Sequence, residues 1–112
     1  MYKIIAILLS LIVYVSCSDD PSRIRVMNKT SNQLKNINYL NGDDDLNWKG
    51  YLNPDASTNY ESAEETGWGN LYWEEKVDDA WKEKDKSRIT ITGGSDYTLE
   101  IQSDGTVKVT TD

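Results

Sequence analysis

The chain has 112 residues, with 12 basic and 19 acidic side chains, no histidine and a single cysteine. A net charge of −7 repels phosphate backbones and argues against nucleic acid as a partner. The missing histidine and second cysteine exclude Ser-His and Cys-His nucleophile pairs, imidazole or thiolate zinc sites and an internal disulfide.

Residues 1–16 have the layout of a secretory signal. Lys3 is the only charge before Asp19, and Ile4 to Val15 is apolar except for Ser10. That run is shorter than the roughly 20 apolar residues a membrane span needs. It ends in Val15, Ser16 and Cys17, which resembles the lipobox of bacterial lipoproteins, with Tyr14 where that family favours Leu. The resemblance implies that Cys17 is lipidated and becomes the first residue of the mature chain. A plain secretory signal and an uncleaved anchor remain the alternatives. Ser18, Asp19 and Asp20 follow, similar to the export tether of lipoproteins displayed on the outer face of the outer membrane. Cleavage before Cys17 leaves 96 residues, and loss of Lys3 takes the net charge from −7 to −8. Residues 17–22 then read as lipidated cysteine and tether, and 23–112 as one domain.

Ile24 and Val26 alternate with Arg23 and Arg25, the period-two pattern of a strand with one buried face. Asn28 to Gln33 reads as a polar turn and Leu34 to Leu40 as a second strand. Asn41-Gly42 and the run Asp43, Asp44, Asp45 read as an exposed loop, and Leu46 and Trp48 resume the alternation. Asp43, Asp45 and Asn47 have the 1-3-5 spacing of a calcium loop. The sixth position is Trp48 and the twelfth Pro54, so the motif fails and no metal is expected. Three exposed carboxylates at a hairpin tip are instead candidates to steer a basic partner, and their replacement by Asn is expected to leave stability nearly unchanged.

Residues 68–86 admit two readings. Trp73, Val77 and Trp81 fall at i, i+4 and i+8, with Ala80 beside them, which predicts a short helix over 73–84. Trp68, Asn70, Tyr72 and Glu74 alternate like a strand, which predicts a hairpin instead. The C-terminal stretch is clearer. Ile89 and Ile91, then Tyr97, Leu99 and Ile101, then Val107 and Val109 predict three antiparallel strands, with turns at Gly93-Gly94 and Asp104-Gly105.

The fold class expected is mostly β, a small antiparallel sandwich, with one short helix near 73–84 as an option. Gly50, Leu52, Pro54, Ser57 and Tyr60 resemble a pattern of small bacterial β-sandwich lipoproteins, which implies an immunoglobulin- or transthyretin-like sandwich and no established activity. The functional expectation is a non-enzymatic binding or accessory module without a cofactor, anchored through its N-terminal lipid at the outer membrane and facing the cell surface. Its ligand would be a glycan or another envelope protein. Each tryptophan reads first as core; Trp68, flanked by glycines, is the one most expected at the surface, and exposure of Trp68 or Trp48 would favour such a ligand. The alternative is an inhibitor of a basic enzyme such as lysozyme.

Overall fold

Period-two alternation governs residues 21–112, which the computed structural model describes. Cys17, Ser18, Asp19, Asp20 and the signal-like run lie outside the described residues. The described chain forms eight strands: β1 (Ser22–Lys29), β2 (Leu34–Asn41), β3 (Asp44–Leu52), β4 (Glu61–Ala63), β5 (Gly67–Val77), β6 (Ala80–Ile91), β7 (Asp96–Gln102) and β8 (Val107–Thr111). They make two four-stranded sheets, ordered β4-β1-β7-β8 and β3-β2-β5-β6, packed face to face as a small β-sandwich. Alternate residues of both sheets meet between them. Ile24, Val26, Leu99 and Ile101 from one sheet and Leu34, Tyr39, Leu71 and Trp73 from the other are almost wholly buried. Large rings compensate for a short apolar inventory, since each buries a large area. Trp73 carries one cost: its buried indole N–H has no partner among the described residues.

One pairing departs from the antiparallel expectation. β1 runs parallel to β7, from Arg23 opposite Asp96 to Lys29 opposite Gln102. β6 and β7 do not pair either. The Gly93-Gly94 link carries the chain from one sheet to the other, and only β7 and β8 form the predicted hairpin. Alternation specifies which face of a strand is buried but not which strand lies beside it.

No helix occupies 73–84; β5 and β6 pair there as an antiparallel hairpin from Gly67 opposite Ile91 to Val77 opposite Ala80. The helical stripe misleads because a spacing of four fits a helix turn and also returns to the same face of a strand. Trp73 and Val77 both point inward on β5, while Trp81 follows the turn. The turn residues Asp78 and Asp79 have φ of 52° and 63°. Two consecutive left-handed residues make a type I′ turn, and aspartate tolerates that region better than most. Asp79→Gly is expected to raise stability by about 0.5–1 kcal/mol by relieving this conformation. Urea midpoints of the two proteins check it.

The predicted loop at 41–47 is likewise tighter than expected. Asn41 pairs with Asp44, which leaves only Gly42 and Asp43 in the turn. Gly42 has φ +59°, which suits glycine at the first central position. Residues 53–60 then cross to the other sheet, where the short β4 pairs with the start of β1.

Candidate binding face

Directly paired residues of neighbouring strands share a face of the sheet. That rule assembles the outer face of β3-β2-β5-β6. One row runs Asn47, Asn38, Tyr72, Asp85, and the next runs Tyr51, Lys35, Glu74, Glu83. Trp81 stands opposite Lys76 at one end, and Trp68 stands opposite Thr90 at the other. Trp68 and Tyr51 are each 64% exposed, and Tyr72 is 37% exposed. Four of the chain's aromatic side chains therefore decorate a single sheet surface. Amides and carboxylates fill the space between them.

The rings are held in place. Tyr51 stacks on Trp81 with centroids 5.9 Å apart and planes inclined by 15°. These residues sit on opposite edge strands, so their side chains meet above the two central strands. Lys35 Nζ lies 4.3 Å from the Trp81 ring centroid, and the Arg88 guanidinium lies 4.9 Å from that of Trp68. Such cation–ring pairs contribute about 0.5–1 kcal/mol at exposed positions. Between the two ends lies a groove of about 360 Å³ bordered by Asn36, Asn38, Tyr72, Glu74, Glu83 and Asp85.

Two residues of this region hold left-handed backbone. Asn36 has φ 50° and Arg88 φ 59°, each at a break in strand register. The Asn36 turn-out lets its Nδ2 donate to Glu74 Oε2 at 2.6 Å. For arginine this conformation costs on the order of 1–3 kcal/mol, a strain that clusters at functional positions. Glu74 and Glu83 face each other directly across β5 and β6. Like charges so placed destabilise the sheet.

The sequence-predicted residues divide. Trp68 is exposed as expected and belongs to this face. Trp48 is not an exposed ring: it is 7% exposed, and its indole N–H donates to the Asn59 carbonyl at 2.9 Å. It helps wall a second groove, of about 510 Å³, with Asn47, Lys49, Tyr51 and Asn59. Inward register on β3 explains the difference, since Leu46, Trp48 and Leu52 all face the core. Asp43 and Asp45 are exposed at the hairpin tip. Asp44 is not free: its carboxylate accepts the backbone N–H of Glu64 at 3.2 Å and of Glu65 at 2.8 Å. It ties the β2–β3 hairpin to the segment entering β5. Asp44 therefore differs from its two exposed neighbours in what its removal should cost. Asp44→Ala should cost about 1–2 kcal/mol, because hydrogen bonds to a charged acceptor are the stronger kind. Asp43→Asn and Asp45→Asn should each stay within about 0.5 kcal/mol. Thermal melts of the three single variants separate the two roles.

The opposite outer face, on β4-β1-β7-β8, is chemically closed. Arg23 forks onto Asp96 with contacts of 3.0 and 2.5 Å, and Tyr60 and Thr98 donate to Asp112. Arg23 and Arg25 both lie 4.9 Å from the Tyr60 ring centroid. The Arg23 hydrogen bond and charge hold the Asp96 carboxyl below the usual carboxylate range, and the Tyr60 and Thr98 hydroxyls do the same for Asp112. Donors and acceptors there are spent on each other.

Tyr51, Tyr72, Trp81, Asn36 and Asn38 went unremarked as site residues in the sequence. Their signal was available once 68–77 is read as a strand, because Trp68, Tyr72 and Trp73 then separate cleanly into outward and inward rings. No family model and no curated protein matches the chain.

Proposed function

We propose that the protein is a lipid-anchored envelope module displayed at the bacterial surface, that it binds rather than catalyses, and that the outer face of β3-β2-β5-β6 is its binding surface. The observation carrying this reading is the gathering of Tyr51, Trp68, Tyr72 and Trp81 on one sheet face that nothing in the described chain covers. Rings at such density on a surface match the composition of interaction hot spots. The lipobox-like ending at Cys17 and the acidic Ser18-Asp19-Asp20 support the anchor and the outward display. A second acyl chain matters here, because one alone holds a protein to a bilayer only marginally.

The strand order also bears on the kind of sandwich. Immunoglobulin domains keep their first, second, fifth and fourth strands in one sheet. Here β1 lies between β4 and β7, and β2 is in the other sheet. This favours the transthyretin-like member of the two resemblances. The alternative function, inhibition of a basic enzyme such as lysozyme, draws its support from Asp43 and Asp45 at the hairpin tip. The engagement of Asp44 leaves that tip with fewer free charges than the sequence promised.

Radiolabelled palmitate should enter the wild-type protein and be absent from Cys17→Ala. Equal labelling of the mutant would sink the anchor. Protease added to intact cells should remove the wild type, and its full protection would place the protein on the inner leaflet.

A further inference from the structure

We propose that the outer face of β3-β2-β5-β6 binds a neutral, extended polysaccharide laid along β5. This rests on the binding-module reading above and names its ligand class.

Trp68 and Tyr72 are four residues apart on β5, about 13 Å at strand rise and the reach of a few sugar units. The Trp81 ring leans from β6 over Lys35 and against Tyr51, in the neighbouring row of Glu74. Each ring sits on a strand rather than a loop, which keeps its geometry fixed. A pyranose presents an apolar face of C–H groups to a flat ring, and its hydroxyls project sideways. Asn38, Asn47 and Asn70 lie in that sideways position, and each amide offers both donor and acceptor to paired hydroxyls. Glu74, Glu83 and Asp85 add acceptors around Tyr72.

Charge selects among polymers. The groove gathers the carboxylates of Glu74, Glu83 and Asp85, and this repels uronate or sulfate chains. The cations at the two ends, Arg88 and Lys35, are already laid against Trp68 and Trp81. They brace the rings, and Lys76, exposed opposite Trp81, is the remaining cation of the face against Glu74, Glu83 and Asp85. A docked protein would need a desolvated apolar centre. The centre of this face is mostly amide and carboxylate, with Leu40, 37% exposed beside Asn70, as an isolated aliphatic side chain. The paired Glu74 and Glu83, and the left-handed Asn36 and Arg88, are costs to folding that a polyol-binding surface accounts for.

The test is affinity electrophoresis of the full-length protein in detergent micelles. Native gels are cast with an α-glucan, a β-glucan or an α-mannan, with polygalacturonate as the acidic polymer and chitosan as the cationic one. At least one neutral polymer should retard the protein, and the two charged polymers should not. Trp68→Ala and Tyr72→Ala should each weaken retardation at least tenfold while lowering the melting temperature by no more than about 8 °C. Tyr60→Phe, on the opposite sheet, should behave as wild type. Retardation confined to a charged polymer, no retardation by any neutral polymer, or wild-type behaviour of both ring variants would overturn the assignment. A benzoylphenylalanine in place of Tyr72, photolysed on intact cells, separates this failure from that of the broader reading. Capture of a protein there rejects the glycan and keeps a binding module. Capture of nothing, together with no gel retardation, rejects both.

Discussion

Asn28→Ala is expected to lower stability by about 3–5 kcal/mol, since each buried polar group left unpaired costs about 1–3 kcal/mol. The side chain is wholly buried at the end of β1. Its Oδ1 accepts the Thr30 backbone N–H at 2.9 Å and the Thr30 hydroxyl at 2.7 Å. Its Nδ2 donates to the carbonyls of Asn32 at 2.8 Å and Leu52 at 2.9 Å. All four bonding positions of the amide are therefore used. The backbone of the same residue bonds to Ala56 and Asp55. One amide thus joins the end of β1, the turn into β2, the end of β3 and the start of the crossover. Alanine would strand several of these groups out of reach of water. In a protein whose total stability is about 5–15 kcal/mol, that loss is a large share. Urea unfolding followed by tryptophan fluorescence measures it, and a shift below about 1 kcal/mol would show that water replaces the amide.

Gly69→Ala is expected to cost about 2–3 kcal/mol, the upper part of the range for overpacking a filled core. Gly69 is buried on β5, and a Cβ there would overlap the Tyr39 ring and hydroxyl. Tyr39 pairs directly with Leu71, so Gly69 is its diagonal neighbour, within reach of a large ring. The ring is fully buried. Burial also pushes the Tyr39 hydroxyl up from its ordinary pKa. The Gly-Trp-Gly sequence thereby acquires a structural reason. Gly67 takes a φ of +96°, Trp68 points outward, and Gly69 leaves room for Tyr39 inside. Thermal melts of Gly69→Ala and Gly67→Ala compare the two glycines. A wild-type melt for Gly69→Ala would mean that Tyr39 repacks freely. Tyr39→Phe/Gly69→Ala should recover part of the loss, because it removes the hydroxyl that meets the new methyl.

What the sequence made legible was the face of each strand. Ile24 and Val26, Tyr97 and Leu99, and Ile89 and Ile91 announced their burial through alternation, and the sandwich follows from it. Neighbours were not legible. The parallel β1–β7 pair joins residues more than seventy positions apart, and nothing local at Arg23 or Asp96 records their contact. The choice between helix and hairpin at 73–84 and the outer aromatic face have one origin. Asp-Asp is a weak turn signal beside Asn-Gly, and the spacing of Trp73 and Val77 satisfied both periods. Only the hairpin reading gives Tyr72 and Trp81 a common surface. Trp68 was legible because its glycine neighbours cannot bury it. Trp48 follows Leu46 and Leu52 inward, as the alternation along β3 implies, and its register is set by where the hairpin turn at Gly42 falls. Asp44 looked like its two neighbours in sequence, and only the approach of Glu64 and Glu65 distinguishes it. The strain at Asn36 and Arg88 has no sequence signature at all.

The four indole N–H resonances provide the most direct measurement of the binding face, since Trp48 and Trp73 are buried while Trp68 and Trp81 lie on the outer surface. In a nitrogen–proton correlation spectrum, a titration with short oligosaccharides from the neutral α-glucan, β-glucan and α-mannan should move the Trp68 signal most and the Trp81 signal next. The Trp48 and Trp73 signals should stay fixed. Backbone shifts should follow Asn38, Asn70, Tyr72 and Asp85 across the central strands. Saturable shifts centred on Trp48 or on Asp43 to Asp45, with Trp68 unmoved, would contradict the account and transfer the site to the edge groove or the hairpin tip.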